Sequence, residues 1–230
     1  MLVSEASDLS RFVSISLHRG LRVRVGIVSD VHGNSLALAR GLELMGEVDQ
    51  LLCAGDIVEE FRFSNETVSL LREREAICVL GNHDSGFLGL HGERARSASH
   101  VDHDLVEWLG SHPSSVRLDI DGKQLLMTHA SPCSPHTQYV MAGSPEVKRL
   151  AAVDADYVVI GHTHCQMVER VGQALVINPG SVGQARDSAN GKHLSFAILD
   201  TSTDDVYIEN FLMSTHNRQK LRSSEGNILR

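Results

Sequence analysis

Eight polar residues are of the right types to gather divalent cations and act on a bound anion: Asp30, His32, Asp56, Asn82, His83, His129, His162 and His164. Carboxylate, carboxamide and imidazole groups together suit Mn, Fe, Zn and similar borderline cations, whereas Ca and Mg favour all-oxygen shells. No cysteine belongs to the set, which argues against a Cys-rich structural zinc site. Taken singly, a histidine or aspartate after a strand is ordinarily a loop residue that caps a helix or faces water. The pairs Asp30-Val31-His32 and His162-Thr163-His164 change that reading, because residues i and i+2 of an extended chain point to the same side.

The elements that must position these residues are visible in the apolar pattern. From Arg22 onward short apolar runs alternate with amphipathic stretches, the signature of βαβ organisation. Strands are expected over Val23 to Ser29, Gln50 to Gly55, Ala76 to Gly81, Lys123 to Thr128, Tyr157 to Gly161, Ala174 to Asn178, Ser195 to Leu199 and Val206 to Phe211. The chemically interesting residues follow five of these runs, and in open α/β sheets ligands bind in the crevice beyond the carboxyl ends of the strands.

Asn34 is suited to cap a helix carrying Leu38, Leu42 and Met45 on one face, with Gly46 as its stop. Further helices are expected from about Asn65 (Val68 and Leu71 inward), around Leu105, Trp108 and Leu109, and after Ser144-Pro145, with Val147, Leu150 and Ala151 inward. Asp121-Gly122 fits a two-residue hairpin turn, so the sheets should be partly antiparallel. The segment Ser85 to His103 reads as a loop or small cap beside the site, with His91, His100 and His103 exposed on it.

With 230 residues, 42% of them hydrophobic, the chain can bury a sizeable core. A net charge of -8 argues against coating duplex nucleic acid, which needs a clustered excess of Lys and Arg. An anionic substrate is compatible with that charge, because bound dications reverse the field inside a pocket. Cys53, Cys78, Cys133 and Cys165 are widely spaced, and the first two, in apolar runs, read as buried thiols. Residues 1–20 carry Glu5 and Asp8 and lack the basic start and apolar core of a signal peptide, and no segment has the length of a membrane span. A cytoplasmic setting without membrane attachment is therefore expected, and a homo-oligomer is left open.

The segments Asp30-Val31-His32, Gly55-Asp56, Gly81-Asn82-His83-Asp84, His129 and Gly161-His162-Thr163-His164 resemble, in order, the five motifs of the calcineurin-like metallophosphoesterases. The run Asn178 to Asp187, with His32-Gly33-Asn34, is similar to the compact prokaryotic phosphodiesterase branch, although that branch usually has Pro where Ala185 stands. The resemblance implies a four-layer α/β/β/α sandwich with mixed sheets, in which residues 21–212 form the domain, 1–20 an N-terminal extension and 213–230 a tail. It also implies two divalent ions, Mn first, with Fe, Zn, Ni or Co as alternatives. One would take Asp30, His32, Asp56 and His164; the other Asp56, Asn82, His129 and His162.

By the same resemblance, His83 is a non-ligand histidine that protonates the leaving oxygen or stabilises charge on the phosphoryl group, and Asp84 orients it. Arg186 is either a fork for substrate phosphate or an ordinary surface salt bridge. Two ions about 3.5 to 4 Å apart would share a hydroxide poised for in-line attack on a small phosphoester. A phosphodiesterase acting on small or nucleotide-like diesters is the first expectation. A phosphomonoesterase or protein phosphatase is second, since Gly55-Asp56 continues as Ile57-Val58-Glu59-Glu60 without the Arg of those enzymes. A catalytically weak interaction scaffold is third.

Overall fold

The computed structural model describes residues 11–14, 23–134 and 137–213. Strand β1 (Arg11–Ser14) is followed by β2 (Arg24–Val28) and helix α1 (Ser35–Met45). Asn34 caps α1 by accepting from the Ala37 amide, and at Gly46 (φ 66°) the helix stops, the glycine amide closing on Leu42 O. Next come β3 (Gln50–Cys53), α2 (Asn65–Glu73), β4 (Ile77–Cys78), α3 (Asn82–Leu88), α4 (Glu93–Arg96) and α5 (His103–Gly110). The hairpin strands β5 (Ser115–Ile120) and β6 (Lys123–Thr128) turn at Asp121 and Gly122, both with positive φ. The chain closes with α6 (Pro145–Arg149), β7 (Tyr157–Val159), β8 (Gln166–Val171), β9 (Ala174–Pro179), β10 (Leu194–Asp200) and β11 (Asp205–Phe211).

These strands form two mixed sheets, one of five strands in the order β11-β10-β2-β3-β4 and one of six in the order β1-β5-β6-β7-β9-β8. Strands β2, β3 and β4 run parallel, as do β6, β7 and β9, so their carboxyl ends open on common edges. Side-chain alternation sorts the apolar residues into three layers. Val25 and Ile27 of β2, Leu52 of β3, Leu118 and Leu125 of the hairpin, Val159 of β7 and Ile177 of β9 fill the space between the sheets. Val28, Leu51 and Cys53 face the other way, onto Leu38 and Leu42 of α1, Val68 and Leu71 of α2 and Leu105 and Leu109 of α5. Val158 and Val176 meet Val147 of α6 and Leu150 on the far side of the six-stranded sheet. Three apolar seams separate four layers of secondary structure, the expected α/β/β/α sandwich. Cys53 and Cys78 are buried, free thiols.

Several expectations are corrected. The segment Ser85 to His103 is largely helical: it holds the end of α3, a 3-10 turn (Leu90–Gly92), α4 and the first residue of α5. Phe87 anchors it, fully buried and stacked on Phe63 at 5.1 Å, while Arg96 ties down the Phe87 and Gly89 carbonyls. The glycines of that stretch hide this periodicity. Ala151 is exposed, because α6 ends at Arg149 and tightens into a 3-10 turn (Leu150–Ala152) that carries it outward. Strand β8 was not anticipated; it is an edge strand whose exposed and half-buried residues blur the apolar run. Within the supposed N-terminal extension, Arg11–Ser14 pairs in parallel with β5. All of the supposed tail after Met213 lies outside the described residues. No helix among the described residues is long and apolar enough to cross a membrane.

Candidate metal centre

Five of the expected site residues occupy the left-handed region of backbone space: Asp30 (φ 54°), His32 (49°), Asp56 (52°), His162 (66°) and His164 (57°). Such φ values cost a non-glycine residue about 1–2 kcal/mol and persist only where the surroundings over-determine them. Here neighbouring strand ends lock one another. The Asp30 amide donates to Gly55 O (3.0 Å), that of His32 to Asp56 O (2.9 Å), and that of Gly161 to His129 O (2.7 Å). The His162 amide donates to Asp30 Oδ2 (3.0 Å), and the His83 amide to Asp56 Oδ1 (2.9 Å).

Two glycines are dictated by close approach: a Cβ on Gly81 would lie 2.1 Å from Asp56 Oδ1, and one on Gly161 1.9 Å from Ser29 Oγ. The i, i+2 spacing therefore does not work through extended chain as the sequence suggested. Left-handed turns aim Asp30 and His32 together, and they send His162 and His164 into two different groups.

The first group is Asp30, His32 and His164. His164 Nε2 lies 3.2 Å from Asp30 Oδ1 and 3.1 Å from His32 Nε2. The second is Asp56, His129 and His162, with His129 Nε2 3.3 Å from Asp56 Oδ2, 3.2 Å from His162 Nδ1 and 3.1 Å from Asn82 Oδ1. Asp56 Oδ2 also lies 3.8 Å from His32 Nε2, so this carboxylate stands between the groups.

The outer nitrogens set the tautomers. His129 Nδ1 donates to Ala54 O (2.8 Å) and His164 Nδ1 to Gln184 O (3.2 Å), which turns each Nε2 inward. Burial lowers His32 to about 3, and His162 and His164 to about 4, so all three are neutral imidazoles. Neutral His32 and His164 turn their Nε2 atoms on each other at 3.1 Å, beside an Asp30 Oδ1 that is buried without a hydrogen-bond partner. A cation among them resolves all three, so the donor set fits a metal. Burial also pushes the Asp30 carboxyl up, as expected where positive charge is needed to hold it ionised. His129 behaves oppositely: burial would lower it, but its hydrogen bond to Asp56 and the charges of Asp56 and Asp30 outweigh that and raise it to about 9.

His83 adjoins the first group, its ring edge-on to His32 at 4.8 Å between centroids. The carboxylate facing it is not the expected Asp84. Asp84 is fully buried and uses both oxygens on backbone amides, those of Val58 (2.9 Å), Ile57 (3.2 Å) and Gly81 (2.9 Å), so it braces the loop after Asp56. Glu59 takes the other place, with Oε2 3.5 Å from His83 Nδ1 and Oε1 3.4 Å from His32 Nδ1, and it also accepts from Gln184 Nε2 at 2.7 Å. The signal for Glu59 was a second carboxylate one turn of chain beyond Asp56.

Arg186 is exposed, yet its charge is felt at His32 and His164, so it stands at the rim of the site. Tyr139, also missed, stacks on His162 with ring centroids 4.2 Å apart; nothing in its neighbours in sequence marks it. His91, His100 and His103 are exposed and join neither group, and Cys165 is partly buried with its thiol pushed up by burial and by Asp187.

Residues 23–204 match the model of the calcineurin-like phosphoesterase superfamily domain. A metallophosphoesterase from Sphaerobacter thermophilus superposes with a TM-score of 0.69 at 29% identity, covering 90% of this chain and 95% of that one. Two proteins of Methanocaldococcus jannaschii are similar in sequence. One is uncharacterised, 29% identical over 204 residues, which are 76% of this chain and 82% of the relative. The other is a phosphodiesterase, 26% identical over 169 residues, 69% of this chain and 83% of the relative. A family match across most of the chain places this protein in the calcineurin-like phosphoesterase superfamily.

Proposed function

We propose that the protein is a dinuclear metal-dependent phosphodiesterase acting on small or nucleotide-like diesters. The observation that carries this reading is the pair of three-residue groups, Asp30-His32-His164 and Asp56-His129-His162, with Asp56 also facing His32 and a further histidine, His83, beside them. Asp30, His32 and His164 would hold one divalent ion, Asn82, His129 and His162 the other, and Asp56 both, since an anionic carboxylate has an oxygen for each. Mn is the first choice of metal. When bound, the ions supply an activated water and neutralise charge on the phosphoryl group.

The chain's own residues do the rest. His83 protonates the departing ester oxygen. Glu59 faces the Nδ1 atoms of both His83 and His32, where its charge would favour a proton on His83 Nδ1 and leave the opposite nitrogen for the substrate. Asp84, by fixing the amides of Ile57 and Val58, keeps Asp56 and Glu59 in register with α3. Arg186 at the rim offers its fork to a phosphoryl oxygen. Preference for diesters is supported by the missing Arg after Asp56 and by the related phosphodiesterase.

The test is hydrolysis by metal-stripped and reconstituted protein. Bis(p-nitrophenyl) phosphate should turn over with Mn²⁺ at a higher kcat/KM than p-nitrophenyl phosphate. Inactivity with each of Mn, Co, Ni, Fe and Zn would defeat the proposal, and the reverse ranking would make the enzyme a monoesterase.

A further inference from the structure

Beside the second ligand group the fold leaves a groove of about 260 Å³ with no role in the chemistry above. Its floor is the chain that continues from His162 and His164, including Cys165 and Met167; one wall is Val140 and Met141, and the other Asp187 and Ala189. Tyr139, immediately before the first wall, has one ring face against His162 while 60% of the residue is open to solvent. Met141 is 45% exposed. A tyrosine fixed on one face by a candidate ligand and otherwise open is a ready stacking surface, and it adjoins the groove through its chain neighbour Val140, as His162 does through Thr163.

The lining decides what the groove would take. Among the described residues that line it there is no Lys or Arg, so a second phosphate has nothing to pair with. Its one carboxylate, Asp187, is engaged internally, with Oδ2 on the Gln166 amide (3.0 Å) and Oδ1 on the Ala189 amide (2.8 Å). What remains is a mostly apolar lining of Val140, Met141, Ala142, Met167 and Ala189, with the uncharged polar groups of Thr163, Gln166 and Ser188 among them, and methionine sulfur makes favourable contacts with aromatic rings. The volume is ample, since a closed apolar cavity of about 150 Å³ accepts benzene.

Building on the phosphoesterase reading, we infer that Tyr139 and this groove form a subsite for an uncharged aromatic ring, a nucleobase or aryl group, carried on the phosphoester. The centre then grips the phosphoryl group while Tyr139 and the methionines sort its esters by ring content, favouring aromatic substituents over alkyl ones and over further phosphates.

Calorimetric titration of the full-length, Mn²⁺-loaded chain with inorganic phosphate, methyl phosphate and phenyl phosphate separates the two readings. Phenyl phosphate should bind about fivefold tighter than methyl phosphate, the scale of one aromatic contact. That ratio should fall towards one in Tyr139→Ala and in Ala189→Trp, which fills the groove, and persist in Tyr139→Phe. Equal affinity of wild type for the two esters, or a ratio unchanged in both Tyr139→Ala and Ala189→Trp, overturns the subsite while leaving the metal centre intact. Failure of inorganic phosphate to bind wild type at all overturns the phosphoesterase reading and the subsite with it.

Discussion

Asp56 and His129 show how single residues at this centre answer to charge. In the metal-free protein their pairing holds His129 protonated up to about pH 9, so it contributes stability that is fully present below the unfolded value of 6.5 and lost as the pH rises through about 9. Cation uptake by the Asp56 group must displace that proton. Mn²⁺ titrations at neutral pH, in buffers of differing ionisation enthalpy, should therefore show close to one proton released from this group, with the release fading above about pH 9. Uptake without proton release would contradict the assignment of His129. Substitution separates ligand from proton donor: His83→Ala should lower kcat by about 10²- to 10⁴-fold while metal per chain is retained, whereas Asp56→Asn should lose metal and turnover together. Equal metal loss in the two variants, measured by elemental analysis, would refute the non-ligand role of His83.

Among the elements, the end of the sandwich remote from the site has its own tie. Asp204, in the β10–β11 turn, accepts from Lys123 at the start of β6 and from Tyr157 at the start of β7, so one carboxylate joins the two sheets. The hydrogen bonds from Lys123 and Tyr157 lower its pKa, so its contribution is present above the unfolded value of 3.8 and lost as the pH falls through the lowered one. Asp204→Asn should shift the urea midpoint down at neutral pH, and the difference from wild type should vanish in acid. A gap that persists in acid would mean the tie acts by shape and not by charge.

The strands and helices were largely legible because apolar residues buried on both faces mark β2, β3, β7 and β9, and because Asn34, Gly46 and Ser144-Pro145 punctuate helices in the usual way. The site's cast was legible too, since polar residues recur at strand ends. Its geometry was not. Left-handed backbone at Asp30 or His32 is held by hydrogen bonds to another strand end, and nothing local announces it. Asp84 was misread for a related reason: its neighbour in sequence is His83, but its partners in space are the amides of Ile57 and Val58. Glu59 and Tyr139 meet the centre through turns whose course only the folded chain reveals.

For the whole molecule, the decisive fact is that the two sheets share one centre. Asp30, His32, Asp56 and Asn82 follow strands of the five-stranded sheet, while His129, His162 and His164 follow strands of the six-stranded one. Cations held there would bind only the docked arrangement and so stabilise it by mass action, by about 2.7 kcal/mol at a free concentration of 100 times Kd. Adding Mn²⁺ to stripped protein should raise Tm, excess chelator should lower it again, and a Tm indifferent to both would separate the centre from the stability of the fold. The same division has a meaning for biosynthesis. A chain leaving the ribosome carries Asp30, His32, Asp56 and Asn82 early, but His162 and His164, one for each group, follow all the other members. Neither of these two groups is complete until that point, so under the proposed reading both metal pockets would be acquired within a span of three residues.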